Sequence, residues 1–368
     1  MFVDLAYSQE QTMFADMVER MLADRYGFER RMRIVASPAG SDPDIWAALA
    51  ELGCFALPIS EADGGIGGSM IDIAILMEAL GRHLVTEPVL ASAVLAGRMA
   101  ARAGAGALVE AMIAGGRRLA FADGRRALAA HDGAVTGMVP LVAGGAGADT
   151  LLVAVPDGAE VALLAVPADA PGLSIVPVRL LDGGRAADVT FADVKGERLS
   201  AAAAAIVTRG VAEATVAACW EAVGSMNAAR AQTAAYLRER HQFGRALADF
   251  QAVQHRVAEM TVACEEARAA ALLAALALDG APLHHDVTRA VSGAKVRVGR
   301  CARIVAQGAV QLHGGMGVSE ELPIAAHFRT LLAFEAAWGT TTEHLARYAD
   351  AVLSAGSHRT SAVLAEAA

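Results

Sequence analysis

Arg240-His241-Gln242-Phe243-Gly244-Arg245, followed by Phe250-Gln251-Ala252-Val253-Gln254-His255, is a polar, glycine-bearing interruption in a stretch otherwise rich in helix formers. Arg240 is expected to be a fixed cation on a long helix. Its planar guanidinium suits a pyrophosphate, which it can bond through two parallel N–H groups. An isolated arginine would more simply pair with a surface carboxylate. Phe243-Gly244 beside it and Gln251 downstream leave both readings open on the residues alone.

Outward from this stretch, helices are expected near 202–238, 248–279, 283–313 and 321–353. Leu272, Leu273 and Leu276 give one apolar stripe, and Val291, Ala294, Val298, Ala302 and Val305 give another. Four helices of this length predict a bundle with antiparallel neighbours. The composition agrees: 55% of residues are hydrophobic but only 5% are aromatic, so the apolar content is largely alanine, leucine and valine. Alanine has the best intrinsic helix propensity.

The first third also reads as helical. Ser8 and Gln11 form a capping box before Met13, Phe14, Met17, Val18 and Met21, which follow at helical spacing. A short helix around Trp46, Leu49, Ala50 and Leu52 ends at Gly53. Two more, Met70 to Leu80 and Val89 to Ala103, are separated by Pro88. Gly64-Gly65-Ile66-Gly67-Gly68 is expected to be a connecting loop. In the middle third the period shortens. Arg118 to Ala122, Ala134 to Val139, Thr150 to Val155, Val161 to Val166, Leu173 to Val178 and Ala187 to Phe191 are short apolar runs punctuated by Gly, Pro and Asp. They predict a small antiparallel barrel or sandwich. Gly144-Gly145-Ala146-Gly147 lacks the complete phosphate-loop fingerprint and is read as a loop. The expected fold class is therefore α+β, mainly α. It comprises an N-terminal helical domain over 1–116, a small antiparallel β-barrel over 117–198 and a C-terminal four-helix bundle over 199–368.

A formal net charge of −9 argues against a nucleic-acid surface, which carries a basic stripe. The four cysteines, Cys54, Cys219, Cys264 and Cys301, lie far apart with no CxxC spacing, so buried free thiols are expected rather than a disulfide framework or a metal site. The first residues show no secretory pattern. The longest uncharged apolar stretch, Ala269 to Leu278, is far short of the ~20 residues a membrane helix needs. A soluble cytoplasmic protein is the expectation.

Four segments together resemble the acyl-CoA dehydrogenase family over most of the chain. Glu51-Leu52-Gly53-Cys54-Phe55-Ala56-Leu57-Pro58, followed by Gly64-Gly65-Ile66-Gly67, resembles the family's N-terminal "ELG…P…GGxG" stretch. Arg240 to Arg245 with Phe250 to His255 is similar to "RxQFGR…FQAVQH". Gln311-Leu312-His313-Gly314-Gly315-Met316-Gly317 matches "QxxGGxG". Arg329 precedes Trp338-Gly339-Thr340 at the spacing of the final "R…EGT" segment. Within the family the pattern is nearest to the smaller subunits of two-component dehydrogenases, such as a pimeloyl-CoA dehydrogenase.

The resemblance implies a homo- or hetero-tetrameric flavoprotein with FAD lying across a subunit interface, an acyl-CoA substrate and a flavoprotein electron acceptor. It implies cofactor contacts from Arg240, Phe243, Gln251, Gln311, Gly314, Gly315, Thr340 and Thr342. Gln311 can donate and accept toward a nucleotide's polar edge, and Gly314 and Gly315 let a backbone come close to a ligand. Thr340 and Thr342 either bond the cofactor or cap a helix.

The family reaction takes a proton from Cα and a hydride from Cβ of an acyl thioester, giving a trans-2-enoyl-CoA. A carboxylate base must stand at contact distance, and donors must stabilise the developing oxyanion. In most members the base is the glutamate of "EGT", and here that position is Trp338. Some relatives place the base on the preceding helix, where the count falls on Ala214 with Glu213 beside it. One residue's offset rotates a helical side chain by about 100°. Glu335, one turn before Trp338, is the other candidate. The ring-contacting "TEPxxGSD" is replaced by Phe121-Ala122-Asp123-Gly124. The pattern predicts a chain that clamps part of a shared FAD while a second dehydrogenase-like subunit supplies the base. The competing expectation is a structural subunit that clamps cofactor without chemistry.

Overall fold

The computed structural model describes residues 7–280 and 285–366. The residues before Tyr7 and the expected start of the third long helix at 283 lie outside that range. The chain forms two compact units, Met1–Ala79 with Val85–Ala214, and Leu80–Leu84 with Thr215–Ala368.

In the first unit, α1 (Gln9–Arg25) opens on the expected capping box, with Ser8 and Gln11 each bonding the other's backbone N–H. It buries Val18 and Leu22, while Met13 and Met17 of the expected stripe face out. α2 (Phe28–Ala36) and α3 (Pro43–Glu51) follow. Gly53, at φ 76°, takes the left-handed conformation that stops α3. The Gly64–Gly68 loop is held by its own packing, since a Cβ on Gly65 would collide with the Ile59 carbonyl. α4 (Met70–Arg82) precedes Pro88. Beyond it a fully buried π-helical turn, Leu90–Gly97, runs into α5 (Arg98–Arg102), then α6 (Gly106–Ile113).

The β region has eight strands: β1 (Leu119–Asp123), β2 (Leu128–His131), β3 (Ala134–Ala143), β4 (Thr150–Asp157), β5 (Glu160–Pro167), β6 (Leu173–Arg179), β7 (Arg185–Lys195) and β8 (Glu197–Ser200). They form two four-stranded sheets, ordered β1-β4-β5-β8 and β2-β3-β7-β6. One cluster, including Val135, Leu151, Val153, Val189 and Phe191, draws on both sheets. The six expected strands are all present. β2 and β8 add four residues each, of which only Leu128 is buried, and so show no alternation to read. One pairing departs from an all-antiparallel plan: β1 runs parallel to β4, Leu119 opposite Thr150. A parallel pair needs a crossover of a dozen residues or more, and the β2–β3 hairpin supplies it from the other sheet. The expected 116/117 boundary falls inside the first unit, between α6 and β1.

α7 (Ala204–Glu239) starts in the first unit and continues into the second. There it is joined by α8 (Gln251–Gly280) and α9 (His285–His313), and α9 packs on α8, α10 (Pro323–Ala336) and α11 (Thr341–Glu366). The α9 stripe is buried as expected. On α8 the expectation is reversed. Leu273 and Leu276 face out, and the helix turns Ala263, Ala267, Ala271, Ala274 and Ala275 inward. The small inward alanines let α8 pack closely on α9. The expected helix over 321–353 is two helices. Ala337-Trp338-Gly339-Thr340 breaks it, with Trp338 at φ 60° and Gly339 at φ 94°.

Candidate functional site

α7 ends at Glu239, so Arg240 stands just past the helix rather than on it. The next residues form a hairpin in which β9 (His241–Gln242) pairs with β10 (Arg245–Ala246). Phe243 at φ 55° and Gly244 at φ 81° are its two central residues. Two positive φ values in a two-residue loop match the twist of the flanking strands. The left-handed conformation is uncommon for a bulky side chain, yet Phe243 is 89% exposed. Phe250 braces the hairpin, edge-on to Phe243 at 6.2 Å and capped on its face by Arg245 at 3.9 Å. The Arg240 side chain is exposed and forms no ion pair among the described residues. Gln251, also exposed, begins α8 directly after the hairpin.

The second motif lies beside the first. Tyr236, one turn before Arg240, stacks on His313 with centroids 4.4 Å apart, and its hydroxyl reaches Met316 Sδ at 4.0 Å. His313 Nδ1 donates to the Ala309 carbonyl at 2.8 Å, and burial pushes its pKa below the usual histidine value. The stack brings together the C-terminal ends of α7 and α9. Gln311 is exposed on the last turn of α9, and Gly314 and Gly315 open the 3-10 turn that follows. A Cβ on Gly317 would strike the Val310 carbonyl at 2.6 Å, so packing explains that glycine. Gly314 needs its glycine for φ 62°. At Gly315 neither a positive φ nor any atom within 4 Å of an added Cβ demands one.

The third motif is the α10–α11 corner. Thr340 caps α11 through a reciprocal box with Glu343: Glu343 Oε2 accepts from Thr340 N at 2.7 Å, and Thr340 Oγ1 accepts from Glu343 N at 3.2 Å. Capping therefore accounts for the Thr340 hydroxyl, whereas Thr342 is exposed on the first turn of α11. The Trp338 carbonyl accepts from His344 Nε2 at 2.8 Å. Glu335 is bound to Arg303 through both carboxylate oxygens.

Glu213, the other candidate base, sits in the first unit with no solvent exposure. Its carboxylate is ringed by Arg102 at 2.7 Å, Arg209 at 2.7 Å and Arg98 at 3.1 Å. Burial alone would raise its pKa, but the three guanidinium groups outweigh it and hold the carboxyl below its ordinary value. A carboxylate so stabilised is a weak proton acceptor, and the two candidate bases are thus both engaged in ion pairs. The replaced ring-side segment has its own structural reasons. Arg125 bonds both oxygens of Asp123, at 2.7 and 2.6 Å, and a Cβ on Gly124 would collide with Leu128.

Two family models match the chain: the acyl-CoA dehydrogenase N-terminal domain over residues 8–114 and the acyl-CoA dehydrogenase C-terminal domain over residues 197–353. The chain belongs to the acyl-CoA dehydrogenase family. Members of this family are FAD-binding flavoproteins. Among curated relatives, acyl-CoA dehydrogenase IpdE2 of Mycolicibacterium smegmatis is 26% identical over 347 residues, covering 92% of this chain and 98% of that one. Among solved structures, a variant of the Tcur3481–Tcur3483 steroid ACAD superposes with a TM-score of 0.87 at 26% identity, covering 95% of this chain and 99% of the other. The ChsE4–ChsE5 complex from Mycobacterium tuberculosis superposes at 0.88 with 23% identity over 95% of this chain and 99% of its own, a likeness of fold. Among the described residues, no helix is long and apolar enough to cross a membrane, and no cluster of metal-ligating side chains forms.

Sequence reasoning had the motif residues but missed what supports them. Tyr236 and His313 join two motifs far apart in the chain. Ser292, Lys295 and His344 hold the corner at Trp338. The signal for Ser292 and Lys295 was present as polar residues beside the apolar stripe of an amphipathic helix, but nothing local says what they meet.

Proposed function

We propose that this chain is one subunit of an FAD-dependent acyl-CoA dehydrogenase that desaturates an acyl-CoA thioester between Cα and Cβ, with the general base supplied by an unlike subunit. One observation carries the reading. The ends of α7 and α9 gather an uncommitted guanidinium, Arg240, an exposed amide, Gln311, and a glycine without an internal reason, Gly315, while the base position holds an indole.

The residues fit FAD at one end. Arg240 would bond the pyrophosphate bidentately. Gln311 would meet the polar edge of the nucleotide, and Gly314 and Gly315 would let the chain's backbone approach it. Phe243 and Gln251 would add an aromatic face and an amide from the hairpin side. FAD, when bound, accepts the hydride, which no side chain can do. At the other end the fit is poor. Thr340 is occupied with its cap, and Trp338 cannot take a proton from Cα, so its indole would narrow the acyl space and exclude water. A partner with a carboxylate at the corresponding corner would complete a tetramer that passes electrons to a flavoprotein acceptor. The steroid ACAD likeness supports an acyl group carrying a sterol-derived ring system. Trp338 also favours a second reading, in which the chain clamps cofactor for its partner and has no chemistry of its own.

Co-expression with a second acyl-CoA dehydrogenase-like chain from the same source, followed by flavin stoichiometry and turnover with a dye acceptor, tests both. The expected result is flavin and turnover in the complex and no turnover by the chain alone. An isolated chain that desaturates acyl-CoA at ordinary rates overturns the proposal. A complex that loses its flavin with Arg240→Ala but keeps full turnover with Trp338→Ala supports the second reading.

A further inference from the structure

Three buried polar side chains, Ser292, Lys295 and His344, gather at the corner that carries Trp338, and exposed Arg303 holds its outer edge. Ser292, Lys295, Gly299 and Arg303 follow one another on α9 at spacings of three, four and four residues, which aligns them on one face of the helix. Each touches the corner or the helices flanking it. Lys295, fully buried, donates from Nζ to the carbonyl of Phe334 at 2.8 Å and more weakly to Glu335 at 3.4 Å, and lies 4.1 Å from the Phe334 ring centroid. A cation there also opposes the negative end of the α10 dipole. Gly299 faces Thr341, whose hydroxyl would make an ordinary 3.4 Å contact with an added Cβ. Arg303 holds Glu335. Ser292 acts through His344: its hydroxyl lies 3.2 Å from Nδ1, and Nε2 lies 2.8 Å from the Trp338 carbonyl. The carbonyl can only accept, so Nε2 carries the proton and Nδ1 accepts from Ser292. Burial pushes the His344 pKa down, which keeps this neutral tautomer.

A break between two helices needs caps, and Thr340 with Glu343 already supplies one. Burying a lysine and a histidine in addition is costly, and both spend their hydrogen bonds on main-chain carbonyls within Phe334–Trp338. Gly339 belongs to the same device, since a Cβ there would come within 2.8 Å of His344 Nε2.

We infer that Lys295 and His344, oriented by Ser292, are positioning residues that set the backbone at Trp338, so that whatever side chain stands there is presented in one orientation. This rests on the reading of residue 338 as the one facing the acyl thioester. The same scaffold would present a carboxylate in a catalytic subunit and an indole in this one.

The test uses the full chain labelled with 5-fluorotryptophan. It has three tryptophans, Trp46, Trp220 and Trp338, so the 19F spectrum has three resonances, assigned with Trp338→Phe. His344→Gln retains a donor at the position of Nε2, whereas His344→Asn retains only the Nδ1 end. Loss of the single sharp Trp338 resonance is expected in His344→Asn and Lys295→Met, with Trp46 and Trp220 unmoved, and recovery is expected in His344→Gln. A native Trp338 resonance in both disruptive variants overturns the inference. So does a joint shift of all three resonances, which would mark a general folding role. Ser292→Ala, a smaller change, serves if Lys295→Met fails to fold, and the same selective broadening is expected of it. The readout needs no flavin. A selective Trp338 effect in a chain whose co-expressed complex lacks flavin and turnover would uphold the positioning role and refute the functional reading.

Discussion

Replacing Glu213 with alanine separates structure from chemistry at the first unit's ion cluster. The carboxylate has no exposure and meets three guanidinium groups within 3.1 Å, and those arginine side chains are only 16%, 29% and 22% exposed. Removing one partner from a buried ion pair costs about 3–5 kcal/mol, because the charges left behind are uncompensated. Partial exposure of the arginines lets water screen them, which places Glu213→Ala near the lower end, about 3 kcal/mol. Urea unfolding followed by far-UV circular dichroism reads this as a fall in the midpoint of the transition. The pH dependence has a definite sign. The folded carboxyl lies below its ordinary value of 4.5. Its stabilisation is therefore fully present above that unfolded value and lost as pH falls through the folded one. The variant should lose this acid-side dependence. If Glu213→Ala unfolds like the parent, within about 1 kcal/mol, while the co-expressed complex loses turnover, Glu213 is a base rather than a structural anion.

Glu87 should show the opposite sign. It is buried, Oε2 has no partner, and burial raises its pKa from 4.5 to about 7. The native state thus holds a proton that the unfolded chain releases, and stability falls as pH rises from 4.5 toward 7. Glu87→Gln should be more stable than the parent at pH 8 and indistinguishable at pH 4, measured by thermal unfolding; equal stability at both pH values would contradict this. In the co-expressed complex, Arg240→Ala should weaken flavin binding roughly ten- to hundredfold, the loss of one or two hydrogen bonds to a charged group. Gly315→Val should weaken it without altering the unfolding midpoint, since an added Cβ meets open space; fluorescence titration of flavin checks both. The four cysteines are buried, with Cys54 and Cys219 raised to about 12 and Cys264 and Cys301 to about 11 by burial. A thiol reagent at pH 8 should therefore label none until denaturant is added.

The alternation of helical and short-period segments, the capping box at Ser8, the stop at Gly53 and the α9 stripe were all legible from residues a few positions apart. These features arise from local sterics and from burial of one face, so spacing encodes them. The motif residues were legible as candidates, because cations, amides and glycines announce possible chemistry by type.

Other features depended on residues distant in the chain. α8 turns alanine inward because α9 lies close against it, and no window of α8 contains that neighbour. The helix expected over 321–353 breaks at Trp338 because Lys295, His344 and Thr340 stabilise the break, overriding a local pattern that favours continuity. Glu213 reads as a candidate base from its place on α7, and only the fold sets Arg98 and Arg102, more than a hundred residues earlier, on its carboxylate. Sequence alone determined most of the elements and the chemical groups available. Tertiary structure decided which groups are already bonded to one another and which remain for a ligand, because a hydrogen bond or ion pair is a statement about two partners and spacing describes only one.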